Sequence, residues 1–125
     1  MQAALKPDEL LSISQVSQEH AISRNHVMKV VNVLARAGFL ETVRGRGGGF
    51  KLARPAETII LGDVIRVTEP NLKPVDCTNC TLQAGCGLIS PLDQALQAFL
   101  SVLDNKSLAD VAKETSLPSF AKDRR

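Results

Sequence analysis

Three cysteines fall within ten residues, Cys77, Cys80 and Cys86, at the spacing C-x2-C-x5-C. An odd number of thiols so close together, in a chain whose N-terminus shows no export signal, points to metal ligation before disulfides. Three thiolates match neither a four-cysteine zinc site nor a C-x-x-C redox motif set between a strand and a helix. An iron-sulfur cluster, 4Fe-4S or 2Fe-2S, accepts three cysteines plus one ligand from elsewhere, and the positive end of a following helix would help to hold its negative charge. Structural zinc is the competing reading, spacing alone leaves the two open, and a regulator with no metal is a further alternative. His20 or His26 could complete a zinc site only if the N-terminal part folded onto the cysteine loop.

A second set of residues suits a polyanion. Ser23, Arg24, Asn25, His26 and Lys29 fall at the start of a helix expected over residues 24–37, with Ser23 as N-cap and Gly38 as terminator. Val27, Val31 and Leu34 form its apolar stripe, while Asn25, Lys29, Asn32 and Arg36 recur on the opposite face. Side chains at such a helix start can reach base edges in a DNA groove. Arg44 and Arg46 then flank a glycine-rich stretch, Arg44-Gly45-Arg46-Gly47-Gly48-Gly49, between two short strand patterns, residues 39–43 and 50–53. A hairpin with this tip can lay arginines on phosphates or in a minor groove. The glycines do not form a nucleotide-binding loop, because the chain runs on into Phe50-Lys51-Leu52 and Pro55 and not into a helix.

The elements that must position these groups follow in order. A short helix is expected from Ile13, capped by Ser12 or Ser14, and another over Leu61, Val64, Ile65 and Thr68, ending before Pro70. The cysteine stretch, Pro70 to Ser90, is longer than structureless connections usually run. Ser90-Pro91 signals a helix start, and Leu92, Ala95, Leu96, Phe99 and Leu103 give that helix a wide apolar face suited to a dimer contact. Ser107 caps a last turn containing Leu108 and Val111, and a frayed tail is expected after it. The expected fold is mainly α with a small β-hairpin wing: a winged helix-turn-helix module (1–69), a cysteine loop (70–90), a dimerisation helix with its last turn (91–112) and a flexible tail (113–125).

Composition agrees with one small soluble domain. The 125 residues are 44% apolar and 22% charged, with four Phe and no Trp or Tyr, so the core must be built mainly from Leu, Val, Ile and Ala. No apolar stretch is long enough for a membrane span, and Lys6, Pro7, Asp8 and Glu9 stand where a signal peptide needs an apolar run, so a cytoplasmic protein is expected. The net charge of +2 conceals an asymmetry. Residues 1–54 carry eight bases against four acids, and the remainder seven bases against nine acids. A small iron-sulfur or thiol redox protein would need no such basic half.

Four segments together resemble the Rrf2 family of regulators: the helix run Ser23-Arg24-Asn25-His26-Val27-Met28-Lys29-Val30-Val31, the wing Glu41 to Gly49, the cysteine loop ending Cys86-Gly87-Leu88, and Phe99 to Leu108 with Leu108-Ala109-Asp110. The resemblance covers roughly residues 13–111, and the helix run is most similar to the NsrR branch, the nitric-oxide-sensing repressors. It implies a homodimeric repressor that binds a palindromic operator on double-stranded DNA through two winged helices and dimerises through the long C-terminal helix. It also implies that Cys77, Cys80 and Cys86 hold an iron-sulfur cluster whose reaction with nitric oxide releases DNA. Family members begin with a further helix, of which Met1 to Leu5 resembles the end. In NsrR-like members that helix supplies an acidic fourth ligand from the partner; Asp8 is not its equivalent, so the fourth ligand is unassigned. The first cysteine gap is shorter than in most relatives, and the second agrees.

Overall fold

The computed structural model describes residues 1–116; the remainder of the expected flexible tail lies outside the described residues. The chain forms α1 (Gln2–Leu5), α2 (Ile13–His20), α3 (Arg24–Arg36), β1 (Leu40–Val43), β2 (Gly49–Leu52), a 3-10 turn (Ala56–Thr58), α4 (Leu61–Thr68), α5 (Ile89–Asp104) and α6 (Leu108–Lys113). No helix among the described residues is long and apolar enough to cross a membrane.

The helix starts follow their caps. The Ser12 hydroxyl accepts the Gln15 N–H at 3.0 Å to open α2, and the Ser23 hydroxyl accepts the His26 N–H at 3.2 Å to open α3. The connection between them turns through Ala21, at φ +52°, so α3 leaves in a new direction. Val27 and Val31, one helical turn apart, are the residues α3 buries. They join Ala3, Leu11, Leu40 and Phe50 in one core cluster, with Ile13, Val16 and Leu34 packed against it.

The hairpin is antiparallel, with Leu40 opposite Leu52 and Thr42 opposite Phe50. Leu11 extends it: its N–H donates to the Phe50 carbonyl at 2.9 Å, and its carbonyl accepts the Phe50 N–H at 2.8 Å. That bridge holds the wing beside the start of α2, and no local signal in the sequence announces it.

A second cluster closes the module from below, with Phe39, Ile59 and Leu108 buried and Leu61, Val64 and Val111 around them. It draws the C-terminal end of the chain onto the module. The Leu108 N–H donates to the Ile59 carbonyl at 2.7 Å and the Leu61 N–H to the Lys106 carbonyl at 2.9 Å. Ser107 caps α6 as expected, in a reciprocal pair with Asp110.

Two expectations need correction. Helix α5 begins at Ile89, with Ser90 and Pro91 already inside its first turn. The first four N–H groups of a helix have no intrahelical partner, so proline costs nothing there, and Ser90 accepts from Gln94 Nε2 at 3.2 Å in place of capping. The apolar face of α5 is also divided. Leu100 is buried on the α4 side, with Leu92, Leu96 and Leu103 half-buried in the same stripe, whereas Ala95, Phe99 and Val102 are exposed.

Candidate nucleic-acid interface and cysteine loop

Because Val27 and Val31 point one face of α3 into the core, the polar residues of its other faces point out: Arg24, Asn25, His26, Lys29, Asn32 and Arg36 are all exposed. Their side chains leave from a helix start whose unpaired N–H groups carry partial positive charge. Arg44 and Arg46 are exposed at the wing tip, where Gly45 and Gly47 adopt φ +98° and +72°, a region side chains rarely occupy. A shallow cavity of about 290 Å³ joins the two parts, lined by Arg24 and Asn32 of α3, Ser12 and Ser14 of α2, and Thr42 and Val43 of the wing. Helix and wing therefore meet at one cavity, with Arg24 as the base that lines it.

Not every base of this half is available to a ligand. The Arg54 guanidinium lies 4.8 Å from the centre of the Phe39 ring, a cation–π contact that covers the second core cluster. Lys6 is within 3.7 Å of Glu9.

His20 is committed elsewhere, since its Nε2 lies 2.8 Å from Gln2 Oε1. Gln2 is itself buried and donates through Nε2 to the Glu19 carboxylate. Hydrogen bonds from Gln15 foremost, and from Gln2, hold the Glu19 carboxyl below the usual range. This tie of α1 to α2 uses His20 for the fold. His26 remains on the exposed face of α3.

The cysteines occupy the connection between α4 and α5 as a series of turns. The Cys80 N–H donates to the Cys77 carbonyl at 3.1 Å, the Gln83 N–H to the Cys80 carbonyl at 3.2 Å, and the Gly85 N–H to the Leu82 carbonyl at 3.1 Å. Asp76 fixes the first turn by accepting the Thr78 hydroxyl at 2.6 Å and its N–H at 3.0 Å, which keeps the Asp76 carboxyl ionised to lower pH than usual. Cys80 is exposed, Cys77 and Cys86 are half-buried, and all three are free thiols. Two open cavities flank the start of α5, one of about 560 Å³ containing Cys77 and one of about 630 Å³ containing Cys86; Ile89 and Asp93 line both.

In kind, three free thiols on one short loop fit an iron-sulfur cluster or zinc. In arrangement they are not gathered: among the described residues no three His, Cys, Asp or Glu side chains converge on a common point. The spacing indicates donor type, while convergence depends on a loop that has no core to set it.

Helix α5, which follows the loop, is tied back to α4. Arg66 makes a two-pronged ion pair with Asp104 of α5, at 2.6 and 2.9 Å, which holds the Asp104 carboxyl below its usual range. Gly62 makes that approach possible, because a Cβ there would lie 1.8 Å from Asp104 Oδ1. Sequence reasoning missed this joint, since its partners are 38 residues apart.

Comparison with known proteins agrees with this geometry. Residues 1–114 match the family model described as "Rrf2: Iron-dependent Transcriptional regulator". Among solved structures the chain is similar to CymR (YrzC), the global cysteine regulator of B. subtilis, at a TM-score of 0.72 and 28% identity over 92% of this chain and 88% of that one. It is similar to T. potens IscR at 0.72 and 27%, over 92% and 78% of the two chains. Staphylococcus aureus CymR matches at 0.71 and 28%, over 93% and 90%.

Proposed function

This chain belongs to the Rrf2 family of DNA-binding transcriptional regulators, and from that premise we propose that it is a cytoplasmic homodimeric repressor that reads a palindromic operator and answers to a signal received at its cysteine loop. The observation that carries the reading is the exposed surface of α3 and the wing, which meet at one cavity. In it, Ser23, Arg24, Asn25, His26 and Lys29 address base edges and nearby phosphates from the helix start. Arg44 and Arg46 hold the flanking backbone or minor groove.

The exposed apolar stripe of α5, with Phe99 51% and Val102 64% exposed, supports a second copy as its cover. Two recognition helices in such a dimer would read half-sites roughly 34 Å apart, so a small change at the joint between α4 and α5 suffices to lose register. Cys77, Cys80 and Cys86 would hold an iron-sulfur cluster, which when bound supplies reactivity toward nitric oxide or sensitivity to iron and redox status. Structural zinc on the same thiols is the second reading, favoured by the same donors.

The test is operator binding against salt. Arg46→Ala should weaken binding to all sequences alike and lower the slope of log affinity on log salt by about 1, whereas Asn25→Ala should relax preference at one base position. If neither variant alters binding, this surface is not the interface. For the loop, anaerobic purification should yield coloured protein that bleaches with nitric oxide. A colourless protein with one equivalent of zinc refutes the cluster and supports the second reading.

A further inference from the structure

Cys77 and Cys80 are the first and fourth residues of a hydrogen-bonded β-turn, closed by the 3.1 Å bond from the Cys80 N–H to the Cys77 carbonyl. Such a turn holds its end Cα atoms within about 7 Å, and a disulfide spans Cα separations of about 4.4 to 6.8 Å. Asp76 holds the turn closed from its leading side through both of its bonds to Thr78. Cys86 lies beyond two further turns and does not share this hydrogen-bonded turn. Cys80 is exposed and Cys77 half-exposed, which gives a small oxidant access to the pair.

We propose that Cys77 and Cys80 form a reversible thiol–disulfide switch that a peroxide closes when the loop carries no metal. The more exposed Cys80 thiolate attacks a peroxide oxygen, the O–O bond breaks, and Cys80 becomes a sulfenic acid as hydroxide leaves. The Cys77 thiolate then attacks the sulfenic sulfur, the S–S bond forms, and a second hydroxide departs. The two thiol protons neutralise both hydroxides, so two thiols lose two electrons and one hydrogen peroxide becomes two waters. The closed state removes two of the three thiolates that a cluster or zinc would use, so oxidation and metal binding exclude one another. The pairing itself does not rest on the metal reading, because it needs only the turn.

The test uses the full chain, freed of metal by a chelator, before and after treatment with hydrogen peroxide. Titratable thiols should fall from three to one, return to three with dithiothreitol, and leave a monomeric chain on a non-reducing gel. In Cys86→Ser they should fall from two to none. A count that stays at three, a Cys86→Ser chain that keeps both thiols, or a bond mapped to Cys86 or between chains overturns the proposal. Zinc ion alone separates the two readings of the loop. The reduced chain should take it up and the oxidised chain should not, and equal uptake by both overturns the mutual exclusion. A reduced chain that takes up no zinc yet still closes the disulfide supports this proposal and refutes the zinc reading.

Discussion

The two halves of this chain differ in how far they account for their own structure. From Met1 to Gly62 every element is tied to another by burial: Leu11 is fully inaccessible, Ile59 is 1% exposed, and two core clusters meet through Leu34 and Leu52. From Asp63 to Phe99 no residue is buried. Burying a large aliphatic side chain contributes roughly 1.5–3 kcal/mol. The first half gains this at each core position, and Leu108 of the C-terminal turn completes its second cluster. The second half is held by hydrogen-bonded turns, the Arg66–Asp104 pair and a half-buried stripe, and it leaves Leu82, Leu88, Phe99 and Val102 in solvent. A DNA-reading module has to be rigid to keep its register, whereas a segment that answers to a signal has to have two arrangements close in free energy.

The largest effect that can break this comparison is in the core. Ile59→Ala should cost about 2–5 kcal/mol in urea unfolding, because the side chain is fully packed between Phe39 and Leu108. Leu82→Ala, at 67% exposure in the cysteine loop, should change stability by less than about 0.5 kcal/mol. Similar costs for the two would mean that the loop has a core of its own. Next in size is the proposed dimer contact. Phe99→Glu should leave the unfolding midpoint of the chain nearly unchanged at concentrations where it is monomeric, yet abolish the dimer in analytical ultracentrifugation and with it most operator affinity. If the dimer survives, the exposed stripe of α5 serves another purpose.

The same contrast explains what the sequence made legible. Helices α2 and α3 and the wing were readable because their signals are local: Ser12 and Ser23 at the caps, Val27 and Val31 one turn apart, glycines between two strand patterns. The base-bearing face of α3 followed from its apolar face by subtraction. What periodicity could not provide was the choice between neighbouring stripes of α5, since Leu100 faces inward only because α4 lies there. The Leu11–Phe50 bridge and the Ile59–Leu108 tie join distant segments and carry no compositional mark. At Ser90-Pro91 a helix-start signal was overruled, because residues with no N–H to lose or a side chain free to turn outward fit equally well inside a first turn. For the cysteines, residue type revealed the donors but not their placement, which no buried neighbour fixes.

A smaller effect isolates the joint between the halves. Gly62→Ala should gain about 1 kcal/mol from helix propensity and lose about 1–3 kcal/mol to the overlap with Asp104, so its net effect on stability should lie between none and a loss of about 2 kcal/mol. Its effect on the ion pair should not be slight, because the added methyl occupies the place of Asp104 Oδ1. A double-mutant cycle shows this: Asp104→Asn should destabilise the native chain but add nothing to Gly62→Ala. Additive costs would mean that Gly62 packs against α5 without governing the Arg66–Asp104 contact.

The smallest expected effect is in acid, and it tests whether the C-terminal turn is held as firmly as the core it caps. Asp110 accepts the Ser107 backbone N–H at 2.9 Å, and the Ser107 hydroxyl accepts the Asp110 N–H at 3.1 Å. The backbone bond foremost depresses the Asp110 carboxyl in the folded chain below its ordinary value of 3.8. A carboxyl depressed on folding contributes stability that is complete above its unfolded value and is lost as pH falls through the folded one. Native stability should therefore decline below about pH 4, with Asp104 and Glu19 contributing in the same direction. In Asp110→Asn that decline should be shallower, and the difference between the two chains should be largest near neutral pH and shrink in acid. Equal slopes would show that α6 is held by Leu108 on Ile59 alone, and that its reciprocal cap adds nothing to the module it closes.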